Sequence, residues 1–142
     1  MNAIARLTQQ HRDCDDILAS AEQAVRSGNW NRARQICQVL NVEIEQHFQL
    51  EEDQVFPAFE AATGIDSGPT EMMRCEHNEI RQLLQDMADA VNGEDARAWL
   101  GHSETLLILT QQHNMKEENI LYPMCSQHIV NFEQLVPSGE YA

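Results

Sequence analysis

Positive charge is scarce in this chain: 9 Lys and Arg stand against 23 Asp and Glu in 142 residues, a net charge of −14. A surface of that sign repels phosphate backbones and anionic lipid and attracts cations, so neither nucleic acid nor a membrane surface is expected as a partner. Long apolar runs are missing too. The opening residues, among them Asn2, Arg6, Gln9 and Gln10, hold no signal-peptide core, and nothing later is long enough to span a bilayer, which predicts a cytoplasmic protein. Cys14, Cys37, Cys75 and Cys125 lack the paired spacing of zinc or redox motifs and read as free, partly buried thiols. The Gly-rich fingerprint of flavin and nicotinamide sites is also lacking, so any redox chemistry needs an external electron partner.

The chain does have an internal repeat. His47, Glu51, Glu52, Val55, Phe56 and Pro57 return as His113, Glu117, Glu118, Leu121, Tyr122 and Pro123, every pair offset by 66 residues. The offset extends beyond the motif that suggests it: His11 matches His77, Ile17 matches Leu83, Leu18 matches Leu84 and Val25 matches Val91. Such carry-over marks a duplicated helical hairpin. Of the six histidines only His102 and His128 stand outside the repeat.

Apolar residues at steps of three and four predict a first helix from about Asn2 to Arg26, ended by Ser27, Gly28 and Asn29. A second runs from there to the neighbourhood of Pro57, whose missing amide hydrogen should kink or end it. Residues 61–69, with Gly64 and Gly68, read as the connection between halves. A third helix follows Pro69 and closes at Asn92 and Gly93, and a fourth starts near Glu94 and reaches Pro123, with Ile120 and Leu121 on its apolar stripe. Met72, Met73, Met87 and Met115 read as core filling, and Phe56 and Tyr122 as packing at helix ends. The expected fold is all-α: an up-and-down antiparallel four-helix bundle over residues 1–128, built from two repeated hairpins, with a tail over residues 129–142 that contains Pro137, Ser138 and Gly139.

His11 precedes Gly28 by 17 residues and His47 follows it by 19; His77 and His113 stand in the same way about Glu94. At about 1.5 Å of rise per residue both imidazoles of a hairpin reach nearly one height. His47 with Glu51, and His113 with Glu117, are four apart and share a helix face. One core layer then holds four imidazoles and two carboxylates, and the buried carboxylates would cost several kcal/mol each unless a metal cation compensates them. A dinuclear site resolves this. Between two six-coordinate irons, four His, two bridging Glu and one bridging oxide or hydroxide leave two positions open to O2, NO or peroxide; the ligand class suits iron and also accepts manganese or zinc. Ferritin-like proteins place Glu three residues before His, the reverse of the order here. Glu52 and Glu118 read as outer partners of the ligands rather than ligands, and Asp15, whose repeat partner is Arg81, as a surface residue or an outer partner. His102, three turns before His113, could line an access path but reads first as an ordinary partly buried His.

These residues, His11, His47 with Glu51, Glu52 and the Phe56 Pro57 ending, Glu76 His77, and His113 with Glu117, Glu118 and the Tyr122 Pro123 ending, resemble the hemerythrin-like domains of the HHE cation-binding family across about residues 5–127. The resemblance implies a non-haem di-iron centre bridged by two carboxylates and an oxygen, with His11, His47, Glu51, His77, His113 and Glu117 as ligands. Oxygen-carrying hemerythrins have a further His where this chain has Met73, and their last carboxylate follows its His by five residues, the place of Glu118. The repeat favours Glu117. The expected function is binding or sensing of O2, NO or a related small oxidant; the alternatives are an enzyme that reduces peroxide or NO, or a protein that donates iron for repair.

Overall fold

The computed structural model describes residues 1–138; Gly139, assigned to the tail by its sequence, lies outside them. Helix α1 is Ala3–Arg26, capped by the Asn2 side chain, which accepts from the Ala5 amide. Its end turns at Gly28, whose φ of 72° is the left-handed conformation that glycine adopts without cost, and Asn29 caps the next helix through the Arg32 amide. Glu94 holds the equivalent turn of the second hairpin at φ 54°.

Helix α2 begins as Trp30–Leu50, widens into one π turn over Glu51–Val55, and continues as Phe56–Thr63. Pro57 therefore neither ends nor breaks it. The wide turn restarts the α-helical pattern at Phe56, so Pro57 falls in a first turn, where its missing amide hydrogen has no bond to lose. The connection between halves is correspondingly shorter than expected: residues 61–63 are helical and Gly64, at φ 73°, ends the helix. Helix α3 is Pro69–Asn92. Helix α4 repeats the design of α2 as Ala96–Lys116, a π turn over Glu117–Leu121, and Tyr122–His128, running past Pro123 for the same reason. Asp95 rather than Glu94 caps it, accepting from the Ala98 amide. A short α5, Phe132–Leu135, follows.

Each long helix packs on its neighbours in chain order and α1 closes against α4, an up-and-down bundle with no strand among the described residues. Two apolar clusters fill it. One, toward the hairpin turns, includes Leu18, Leu40, Ile44, Phe48, Ile80, Leu84, Trp99 and Leu106; the other includes Leu7, Val55, Phe56, Phe59, Met73, Leu121 and Tyr122. The tail belongs to the second cluster: Ile129, Phe132 and Val136 are buried there, and Arg6 Nη2 donates to the carbonyls of Glu133 and Val136 at 2.9 Å. Met73 and Met87 are core residues, whereas Met72, Met115 and Ile120 are exposed. After the wide turn in α4, Leu121 and Tyr122 point inward in place of Ile120. All four cysteines are free: Cys37 and Cys125 buried, Cys14 half-buried, Cys75 exposed.

Candidate metal centre

Between the two apolar clusters lies a polar layer. Its side chains come from one turn of each long helix: His11 on α1, His47 and Glu51 on α2, His77 on α3, and His113 and Glu117 on α4, all buried. Both carboxylates begin a π turn, a device that recurs at functional sites. Glu51 Oε1 lies 3.1 Å from His77 Nε2 and 3.4 Å from His47 Nε2, while Glu117 Oε1 lies 3.1 Å from His11 Nε2 and 3.3 Å from His113 Nε2. The repeat maps one set of contacts onto the other. Two groups of donor atoms result, one of Glu51, His77, His113 and Glu117 and one of His11, His47 and Glu117, each spanning no more than 4.8 Å.

The outward nitrogen of every ring is occupied. Nδ1 donates to Glu118 from His11 at 2.8 Å, to Gln10 from His47 at 2.6 Å, to Glu52 from His77 at 2.6 Å and to Glu76 from His113 at 2.8 Å. These partners fix which nitrogen keeps a hydrogen and turn each Nε2 to the centre. They follow the 66-residue offset too, Glu52 with Glu118 and Gln10 with Glu76. Glu52 is further held by Arg81, and Glu76 by Lys116 at 2.5 Å. In both, burial opposes the charge, but these hydrogen bonds outweigh it and lower the carboxyl pKa.

The centre itself is left with unmet valence. Glu51 Oε1, Glu117 Oε2, His77 Nε2 and His113 Nε2 are buried without an aligned hydrogen-bond partner among the described residues. Arg6 Nε and Trp99 Nε1 are also without one, but only at the centre do such atoms converge, and two oxygens and two nitrogens converging are what a cation satisfies. Electrostatics agree. Burial pushes the Glu51 carboxyl up, with the charge of Glu117 adding to it, whereas Glu117 is held low against its own burial by hydrogen bonds from Glu51 and His11 and by the charge of His113. His11 and His113 also resist burial: Glu117, its carboxylate 3.1 and 3.3 Å from their Nε2 atoms, raises both to about 9. His47 falls to about 3, through burial and the neighbouring imidazoles. Its Nε2 accordingly accepts from His11 Nε2 at 3.0 Å. The layer thus holds protons where a metal would replace them.

The hemerythrin HHE cation-binding domain matches residues 2–125 of the chain. The chain belongs to that family. No curated protein and no solved structure was found to match it.

Within this hemerythrin-family domain the structure gathers all six side chains named from sequence, and places Glu52 and Glu118 on the rings rather than at the centre. Asp15 is exposed and lies at the rim of a cavity beside His11. His102 is half-buried, as expected of an ordinary His, and lies not in that cavity but in a surface groove with Asp95, Arg97 and Gly101. Sequence reasoning missed Tyr122, which is no mere packing residue. Its hydroxyl donates to Glu51 Oε2 at 2.7 Å and Glu117 Oε1 at 3.0 Å. Burial and the two carboxylates push its pKa well above the usual phenol range. It also passed over Gln10, and quoted Glu76 beside His77 without giving it a role. Each stands one residue before a repeated His, so following the offset outward would have found them.

Beside the centre, on the side of the hairpin turns, His11, His47 and His113 face a cavity of about 30 Å³ walled by Leu18, Leu40, Ile44, Phe48, Ile80 and Leu106. A space of this size takes a molecule of about the size of water, since one water needs at least about 10–15 Å³.

Proposed function

We propose that this protein holds a non-haem di-iron centre on His11, His47, Glu51, His77, His113 and Glu117, and binds or senses a small oxidant such as O2, NO or peroxide beside it. The observation that carries this reading is the cavity of about 30 Å³ set against the donor groups. Its wall is mostly apolar, with Asp15, Thr110 and Asn114 among its polar residues, and its small volume suits an uncharged diatomic molecule. When bound, the iron pair supplies open coordination positions and redox capacity.

The remaining work falls to the protein. Glu51 and Glu117 neutralise cationic charge and span the hairpins, while the Nδ1 partners orient the imidazoles. Phe48, stacked on His77 with ring centroids 3.7 Å apart, closes one side against water. Elemental analysis of protein produced with iron, followed by titration with NO under anaerobic conditions, tests the reading. Two irons per chain and a saturable change in the visible spectrum are expected. Catalytic consumption of NO or peroxide with an external reductant would instead make it an enzyme, and a chain without iron would move the site to another cation or a structural role.

A further inference from the structure

The repeat places an aromatic ring immediately after each π turn, Phe56 in α2 and Tyr122 in α4, both fully buried. They do equivalent things. Phe56 stacks on His77, with ring centroids 5.6 Å apart and 25° between planes; Tyr122 stacks on His11 at 5.9 Å and 19°. His77 and His11 are themselves repeat partners, so the two aromatic positions differ by a single oxygen atom.

That oxygen sits among metal donors. Besides its hydrogen bonds to Glu51 and Glu117, Tyr122 Oη lies 3.2 Å from His11 Nε2 and 3.4 Å from His47 Nε2. A phenol donates one hydrogen and can also accept, and all four atoms around this oxygen are of the kinds that bind a cation. Glu51 and Glu117 reach both pairs of rings, so the pair His77 and His113 and the pair His11 and His47 differ in what else lies beside them. The Tyr122 oxygen lies beside His11 and His47.

We propose that Tyr122 Oη is a metal ligand that completes the His11, His47 and Glu117 position and makes the two metal positions chemically different. The proposal rests on the di-iron reading above. On ligation the Oη–H bond breaks, the bond from oxygen to ferric ion forms, the proton leaves to solvent, and no electron is transferred. A cation among these side chains supplies the positive charge that a phenolate needs.

The test is resonance Raman spectroscopy on full-length protein loaded with ferrous ion without oxygen and then air-oxidised, with iron per chain measured on the same sample. Excitation in the visible band should enhance ring modes of an iron-bound tyrosinate. Tyr122→Phe should lose those modes and the accompanying visible absorption while keeping two irons, since Phe already occupies the equivalent position 56. Phe56→Tyr should add a second set of modes. Two irons per chain without tyrosinate modes in the unaltered protein overturns the proposal and leaves the di-iron reading standing, as do modes that persist in Tyr122→Phe. A chain that takes up no iron overturns both. The unaltered protein alone decides the matter if the Phe variant fails to fold.

Discussion

Glu117 Oε1 lies 3.1 Å from Nε2 of His11, a residue of the other hairpin, and closer to it than to His113 on its own helix, at 3.3 Å. Glu51 does the same in reverse, 3.1 Å from His77 and 3.4 Å from His47. Each carboxylate therefore ties the hairpins together through the polar layer. Neither hairpin holds a complete donor group, so a cation bound here would tie the two hairpins together.

Replacing either bridging carboxylate should accordingly abolish dinuclear binding. Glu51→Ala and Glu117→Ala are expected to retain fewer than two metals per chain by elemental analysis, whereas His102→Ala, in its surface groove, keeps both. Two metals in either Glu variant would sink the bridging assignment.

The sequence revealed the four helices and the six layer residues for one reason: a helix with a constant period keeps its register, so an offset of 66 residues carries position as well as identity. The π turns were not legible. They add a fraction of a turn without any residue type that demands it, and they are why Pro57 and Pro123 lie inside helices and Ile120 faces solvent. Tyr122 was hidden differently, because an aromatic pair in register reads as packing until the oxygen on one of them is seen beside Glu51. The tail carried too few apolar residues for a period to show, yet Ile129, Phe132 and Val136 all pack.

The pH dependence of metal uptake should oppose that of metal-free stability. His11 and His113 are raised from 6.5 to about 9 in the metal-free fold, so the stability they contribute is full below about pH 6.5 and is lost as pH rises through 9. Metal needs both Nε2 lone pairs and must displace those protons, so affinity climbs over the same interval and then levels. His47, lowered to about 3, titrates only below this window. Urea midpoints of metal-free protein and chelator-competition affinities for zinc, both measured from pH 6.5 to 9, should slope in opposite directions. A flat affinity would remove His11 and His113 from the ligand set.

At one ring the outer partner differs between the two repeats. His47 donates to the neutral Gln10, whereas its repeat partner His113 donates to Glu76. A carboxylate on Nδ1 raises the basicity of Nε2, and losing such a partner typically costs 10–100-fold in metal affinity. Gln10→Glu should therefore bind metal more tightly, by about tenfold, and Glu76→Gln more weakly by about the same factor. Chelator competition reads both, and equal affinities would show the Nδ1 partners to be indifferent.

The tail should be part of the folded unit. Phe132 is buried with Leu7, Val55 and Tyr122, so Phe132→Ala is expected to cost about 3–5 kcal/mol in chemical denaturation. A chain ending at His128 should lose at least as much, since Ile129 and Val136 leave together with the hydrogen bonds from Arg6. Unchanged midpoints would show that these contacts add nothing to the bundle.

The cavity supplies the sharpest separation of ligand access from metal binding. Ile44 forms part of its wall and belongs to the apolar cluster on the turn side of the polar layer, yet it supplies no donor atom. Ile44→Phe puts a ring into a space of about 30 Å³, which it fills. Overpacking of this kind costs about 1–3 kcal/mol, within the margin of an ordinary domain, so the variant should fold and hold both metals. What it should lose is the cavity. NO titrated into the iron-loaded variant should then bind at least tenfold more slowly than to the unaltered protein, as loss of about 1.4 kcal/mol of access would give. Equal rates would mean that small molecules reach the centre by another route, and that the cavity is a packing defect.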